Sequence, residues 1–134
     1  MASIIRQFAL TAPATEVWDA IADFGALHTR LVPGFVTDTA VDGDVRTVTF
    51  ANGMVVRERL VGMDPERRRL AYTNELDGVE HHAASVTVED GAGGSRATWI
   101  TDVLPDAFEA PIAEMMDAGA AAMQRRFASS PATA

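Results

Sequence analysis

The chain has 134 residues, a formal net charge of −8 and no cysteine. This length is typical of a single globular domain. The acidic charge argues against binding to nucleic acid or to anionic membrane surfaces, because both attract clusters of cations. The lack of cysteine excludes thiol catalysis and thiolate metal sites. All eleven basic residues are arginine, so Schiff-base chemistry on a lysine is excluded as well.

The first third of the chain predicts a strand followed by two helices. Residues 3–10 are apolar-rich and indicate a strand, and Pro13 then stands at a position suited to the first turn of a helix. Apolar residues repeat at helical spacing over 13–22, so the first helix is expected there. A second, short helix is predicted over 26–31, before Pro33 and Gly34 interrupt the pattern.

Residues 35–104 predict six more strands. Turn signals separate short β-rich runs at the spacing of an antiparallel meander. The signals are Asp42-Gly43, Asn52-Gly53, Asp64-Pro65, Asp77-Gly78 and the glycine-rich stretch 91–94. Asn-Gly and Asp-Gly favour tight hairpins because the central residues of the turn need positive φ angles.

The C-terminal part predicts one long helix over residues 106–127. At ~1.5 Å per residue such a helix is about 30 Å long, which is enough to cross a small sheet. The small, polar residues from about 129 onward are expected to form a flexible tail. The whole chain, 1–134, is therefore interpreted as a single α+β domain.

This order of elements resembles the helix-grip architecture of the START-like superfamily, also called SRPBCC. Local motifs that carry the resemblance are Ala12-Pro13 with Glu16-Val17-Trp18, Asp23-Phe24, Val32-Pro33-Gly34, residues 56–60, Asp64 with residues 67–70, Tyr72 and Trp99. One departure is Leu31, where many relatives carry an aromatic residue. The resemblance covers nearly the whole chain and includes small proteins of the polyketide cyclase/dehydratase type.

The resemblance implies a fold and a general function. The expected fold is a curved antiparallel sheet of about seven strands, in the order β-α-α-β6-α, wrapped around the long C-terminal helix. The expected function is to bind or carry a small hydrophobic organic molecule in an internal cavity. Two alternatives stay open: a cyclase/dehydratase-like enzyme acting on a polyketide or another enolisable ketone, and a protein-interaction or regulatory module.

In a sheet with one buried face, alternation along each strand predicts which side chains point inward. The inward set of the strands, together with one face of the C-terminal helix, predicts a mostly apolar chamber with a few polar groups. The last strand is ambiguous, and Trp99 is favoured as its inward residue. The predicted ligand-binding residues are Val48, Phe50, Met54, Val56, Glu58, Leu60, Tyr72, Asn74, His82, Ala84, Trp99, Ile112, Met116 and Met123.

Two of these residues are candidates for acid–base chemistry. Glu58 is predicted to be buried, and a buried carboxylate needs a partner or a raised pKa. It is therefore interpreted either as a ligand contact or as one half of an ion pair with an arginine of a neighbouring strand. If the protein is an enzyme, Glu58 and His82 are the predicted catalytic residues; otherwise His82 is a structural histidine.

No metal or cofactor is predicted. His81 and His82 are neighbours on a strand and should point to opposite faces, so they cannot easily share one ion. The N-terminus has no recognisable secretory signal and no apolar run is long enough to span a bilayer, so a cytoplasmic location without membrane insertion is expected. The expected partner is a small hydrophobic ligand, and the protein is predicted to be a monomer or a homodimer.

Overall fold

A seven-stranded antiparallel sheet and two α-helices dominate the computed structural model, which describes residues 2–128. The strands are β1 (Ala2–Leu10), β2 (Val36–Asp42), β3 (Val45–Phe50), β4 (Val55–Asp64), β5 (Arg69–Glu75), β6 (His81–Gly91) and β7 (Gly94–Leu104). The helices are α1 (Ala14–Ala22) and α2 (Glu109–Arg126), with a π-helical segment at Leu27–Leu31 and a 3₁₀ turn at Asp106–Phe108.

The strand order in the sheet is β1-β7-β6-β5-β4-β3-β2. Consecutive strands from β2 to β7 pair with each other as a meander, and β1 returns to pair with β7 along its whole length. The sheet stays open, with β1 and β2 at its two edges. This architecture, with a long C-terminal helix, confirms the predicted helix-grip fold.

The hairpin between β3 and β4 fixes a register that matters for the site. Gly53 has a φ angle of 89°, a conformation that residues with a Cβ rarely adopt, which explains the glycine in this tight turn. The turn pairs Val48 with Val56 and Arg46 with Glu58. Side chains that are paired in this way lie side by side on the same face of the sheet.

The buried residues of helix α2 include Met116, Gly119 and Met123. Gly119 permits a close approach, because a Cβ at this position would lie 2.9 Å from Cζ3 of Trp99 and 3.2 Å from an edge carbon of Phe35. The helix therefore packs directly against the indole ring of β7. The same indole ring packs against both clusters of buried apolar side chains.

Three details differ from the sequence-based expectation or lie outside the structure. The first turn of the predicted C-terminal helix, residues 106–108, is a 3₁₀ turn, so α2 begins at Glu109. The second short helix is a π-helical segment, closed by a bond from the Val32 N–H to the Leu27 carbonyl oxygen. The predicted flexible tail from 129 lies outside the described residues.

Among residues 2–128, no helix combines the length and the apolar character needed to cross a membrane.

Candidate functional site

A cavity of about 120 Å³ lies between the inward face of the sheet and α2. Its wall is mostly apolar, and the polar side chains are few. Eleven of the predicted ligand-binding residues line it: Phe50, Met54, Val56, Glu58, Tyr72, Asn74, His82, Trp99, Ile112, Met116 and Met123. Trp99 is thus on the inward side of β7, the position that the sequence left ambiguous.

Three predicted residues do not line the cavity. Val48 and Ala84 are buried on the predicted face, but they belong to the packed core and do not reach the cavity wall. Leu60 is only partly buried, and it lies next to a register shift between Leu60 and Gly62 where β4 deviates from regular pairing. Alternation correctly predicts the face of these residues, but not their distance from the cavity.

The sequence-based prediction missed about half of the wall. The largest missing part is the segment between α1 and β2, which closes one side of the cavity with Ile21, Leu27, Leu31, Val32, Phe35 and Val36. The other missed residues are Arg46, Leu70, Leu76, Val86, Thr101 and Met115. Alternation could have found four of these, because each stands two residues from a predicted inward position on its strand: Arg46, Leu70, Val86 and Thr101.

A row of four polar side chains crosses the inward face of the sheet. Arg46 on β3 pairs in register with Glu58 on β4, and Glu58 pairs with Asn74 on β5. The row continues to β6, where Nδ1 of His82 accepts a hydrogen bond of 3.0 Å from the backbone N–H of Asn74. All four side chains line the cavity. Four polar side chains are therefore gathered in one band of a mostly apolar wall.

One end of the row is a buried ion pair. Nη2 and Nε of Arg46 lie 2.8 and 2.9 Å from Oε1 of Glu58, and each residue is only 5% exposed. Nη1 of Arg46 donates to the carbonyl oxygen of Phe24 at 3.3 Å, and the guanidinium carbon lies 4.4 Å from the centroid of the Phe24 ring. Of the two sequence-based interpretations of Glu58, the structure contains the ion pair with an arginine of the neighbouring strand.

The other end of the row is uncharged. Burial, with a smaller contribution from His81, lowers the pKa of His82 to about 4, so the imidazole is neutral at pH 7. Because Nδ1 accepts the Asn74 N–H, the proton of the neutral ring must be on Nε2. His82 therefore offers a hydrogen-bond donor and not a free base. His81 is exposed on the opposite face, as alternation predicts.

Two further polar groups complete the site. Tyr72 accepts a hydrogen bond of 2.9 Å from Nε1 of Trp99, and burial together with the Glu58 carboxylate raises the pKa of the Tyr72 hydroxyl. This hydroxyl is protonated at neutral pH and keeps its own proton to donate. Oδ1 of Asn74 is buried, and no residue in 2–128 donates a hydrogen bond to it. No group of three His, Asp or Glu side chains in this range could hold a metal ion.

A sequence profile of the family described as "Polyketide cyclase / dehydrase and lipid transport" matches residues 1–131. No curated protein sequence matches the chain. Among solved structures, XoxI from Bacillus cereus is 20% identical with a TM-score of 0.82, and the alignment covers 95% of this chain and 96% of that one. A protein from Thermobifida fusca is 26% identical with a TM-score of 0.76, over 95% and 93% of the two chains.

A more distant similarity links the fold to an enzyme. A point mutant of norcoclaurine synthase from Thalictrum flavum, in complex with a transition state analogue, is 20% identical over 92% of each chain, with a TM-score of 0.66. At this identity the similarity concerns the fold alone.

The family match spans almost the whole sequence and agrees with the helix-grip architecture. The chain therefore belongs to the polyketide cyclase/dehydrase and lipid transport family, within the SRPBCC superfamily.

Proposed function

We propose that this protein binds a small, mostly apolar organic molecule in the cavity between the sheet and α2. The observation that carries the proposal is the cavity itself, a mostly apolar wall with few polar side chains, four of which form one row. Such a combination is typical of small-molecule sites, in which apolar surface supplies affinity and a few polar groups set orientation. Membership of a family described by lipid transport supports a binding role.

The cavity volume limits the size of the ligand. An engineered apolar cavity of roughly 150 Å³ binds benzene, so about 120 Å³ suits a molecule near the size of one ring. A larger ligand would require the wall to move. Met115, Met116 and Met123 line the side formed by α2, and methionine side chains adapt readily to different shapes.

Acid–base catalysis by Glu58 and His82 is the less favoured alternative. Oε1 of Glu58 is held by the Arg46 guanidinium, and a proton taken up by the carboxylate would weaken that ion pair. Nδ1 of His82 already accepts a backbone hydrogen bond, so this residue could act as a base only after its proton moved from Nε2. Both arrangements favour orientation of a ligand over proton abstraction from it.

The experiment that tests the proposal fills the cavity. Val56 is 3% exposed and lines the cavity, whereas Val55, its neighbour on β4, is 58% exposed on the opposite face. Val56→Phe should abolish binding of a polarity-sensitive apolar dye with a single ring, such as 4-(dimethylamino)benzonitrile, and Val55→Phe should leave it unchanged. Circular dichroism checks that both variants are folded, because overpacking costs about 1–3 kcal/mol. Equal dye binding by the two variants would contradict the proposal.

A second measurement addresses the natural ligand. Native mass spectrometry of the protein purified from its own host should detect a co-purifying metabolite with the mass of a small organic molecule. Extraction and identification of that compound would give its chemical class. The Val56→Phe variant, purified in the same way, should lack it.

A further inference from the structure

We infer that the Asn74–His82 end of the polar row selects ligands with an uncharged head group that both donates and accepts hydrogen bonds, such as a carboxamide, and rejects a carboxylate of the same shape. This inference rests on the proposed ligand-binding function and specifies the chemistry that the cavity recognises. The inference follows from the hydrogen-bond partners of the row, because some of its donor and acceptor atoms are already paired within the protein and others are not.

The acceptor of this site is the side-chain carbonyl of Asn74. Its Oδ1 is buried and receives no hydrogen bond from any residue in 2–128, although Asn74 lines the cavity. An unpaired buried acceptor destabilises the folded state, and a donor on a ligand would remove that cost. Rotation of the amide about its last side-chain torsion would turn Oδ1 toward the cavity that Asn74 lines, where it could accept from an N–H or O–H group of a bound molecule.

The donor of this site is His82. Its Nδ1 is occupied by the Asn74 backbone N–H, so Nε2 carries the proton, and in the described part of the chain no partner accepts it. The Tyr72 hydroxyl is a second donor near the same place, since its oxygen accepts from Trp99 while its own proton remains available. A head group that accepts from His82 and donates to Asn74 would satisfy both.

Charge explains why a carboxylate is rejected. The only buried cation among residues 2–128 is Arg46, and its nitrogens are engaged by Glu58 and by the Phe24 carbonyl. A ligand carboxylate would have to compete with Glu58 or remain without a counterion near a second negative charge. Desolvating an unpaired anion is far more costly than desolvating a neutral amide. An ammonium group would meet the same difficulty with Arg46.

The test compares three ligands that share one ring. Toluene, benzamide and benzoate carry a methyl, a carboxamide and, at pH 7, a carboxylate. Each is titrated into the ¹⁵N-labelled full chain, with the indole N–H resonance of Trp99 as the reporter. Trp18 supplies a reference resonance, because it lies in the packed core and does not line the cavity. Benzamide should bind about tenfold more tightly than toluene, from two neutral hydrogen bonds, and at least about tenfold more tightly than benzoate.

The variant Asn74→Leu separates recognition from folding. It should reduce benzamide affinity to that of toluene while toluene affinity is kept or increased, a result that an unfolded or collapsed cavity cannot produce. Glu75→Gln, an exposed change on the same strand, is the matched control and should behave like the unaltered protein.

Three outcomes would overturn the inference. They are benzoate binding as tightly as benzamide, toluene binding as tightly as benzamide, and no shift of the Trp99 resonance with any of the three compounds. The first two leave the proposed function intact, because they still place a ligand in the cavity. After the third, the dye experiment with Val56→Phe decides the proposed function separately.

Discussion

The buried ion pair between Arg46 and Glu58 predicts a large effect of a nearly isosteric change. In Glu58→Gln the amide oxygen can still accept from Arg46, but the guanidinium charge loses its counterion in a site where both side chains are almost inaccessible. Breaking a buried pair costs about 3–5 kcal/mol, and the retained hydrogen bond argues for the lower end. For a chain of this length, about 3 kcal/mol lowers the melting temperature by roughly 10 °C.

The matched control is Glu75→Gln on β5. Glu75 pairs with Arg57 at 3.2 Å and with Arg59 at 3.7 Å, but its side chain is 50% exposed. Exposed pairs contribute only about 0–1 kcal/mol, so this variant should melt within a few degrees of the unaltered protein. Thermal and urea unfolding, followed by circular dichroism, measure both changes.

The double variant Arg46→Met/Glu58→Leu sharpens this test. It removes both charges together, so it should recover most of the stability that Glu58→Gln loses, because apolar side chains can replace a buried pair at little cost. If Glu58→Gln were no less stable than Glu75→Gln, the argument that desolvation makes this pair indispensable would be refuted.

Three further predictions concern the cavity wall. The pKa of His82 is about 4 in the folded protein against 6.5 for the free side chain, so the unfolded chain takes up the proton first and the free energy of unfolding should fall between about pH 6.5 and 4, by at most about 3 kcal/mol. Urea unfolding across this range should show a weaker dependence of that free energy on pH for His82→Gln, and an equal dependence would contradict the assignment. Gly119→Ala would normally stabilise a helix by about 1 kcal/mol, but its Cβ would lie 2.9 Å from Trp99. We therefore expect a lower melting temperature and altered Trp99 fluorescence, and a higher melting temperature would be evidence against this close packing. Tyr72→Phe removes the acceptor of the Trp99 N–H, so it should lower the free energy of unfolding by about 1–3 kcal/mol and shift the Trp99 indole resonance. An unchanged resonance would exclude this hydrogen bond in solution.

Alternation was sufficient to predict which strand residues point inward. In β4 and β6 the apolar and polar sets are clearly separated, so Glu58 and His82 could be assigned to the buried face from the sequence. The reason is physical, since a shift by one residue would bury every polar side chain of the outer set. The same reasoning extended along β3 reaches Arg46, although a charged residue is seldom expected in a core.

Depth and cavity shape could not be predicted in this way. Val48 and Ala84 face inward, yet they belong to the packed core and do not line the cavity, and no periodicity contains that information. The wall formed by residues 21–36 was missed for a different reason. A short helix, a π-helical segment and a bend have no long repeat, so the direction of each side chain depends on tertiary packing.

The polar row links stability to ligand binding. At the Arg46–Glu58 end the charges satisfy each other, so this end stabilises the fold with or without a ligand. At the Asn74–His82 end, Oδ1 of Asn74 is buried and receives no hydrogen bond from residues 2–128, a cost that a donor group of a bound molecule would remove. A ligand that binds the folded state alone raises the free energy of unfolding with its concentration. Removing the Asn74 amide should therefore stabilise the empty protein and reduce the additional stability that a polar ligand confers.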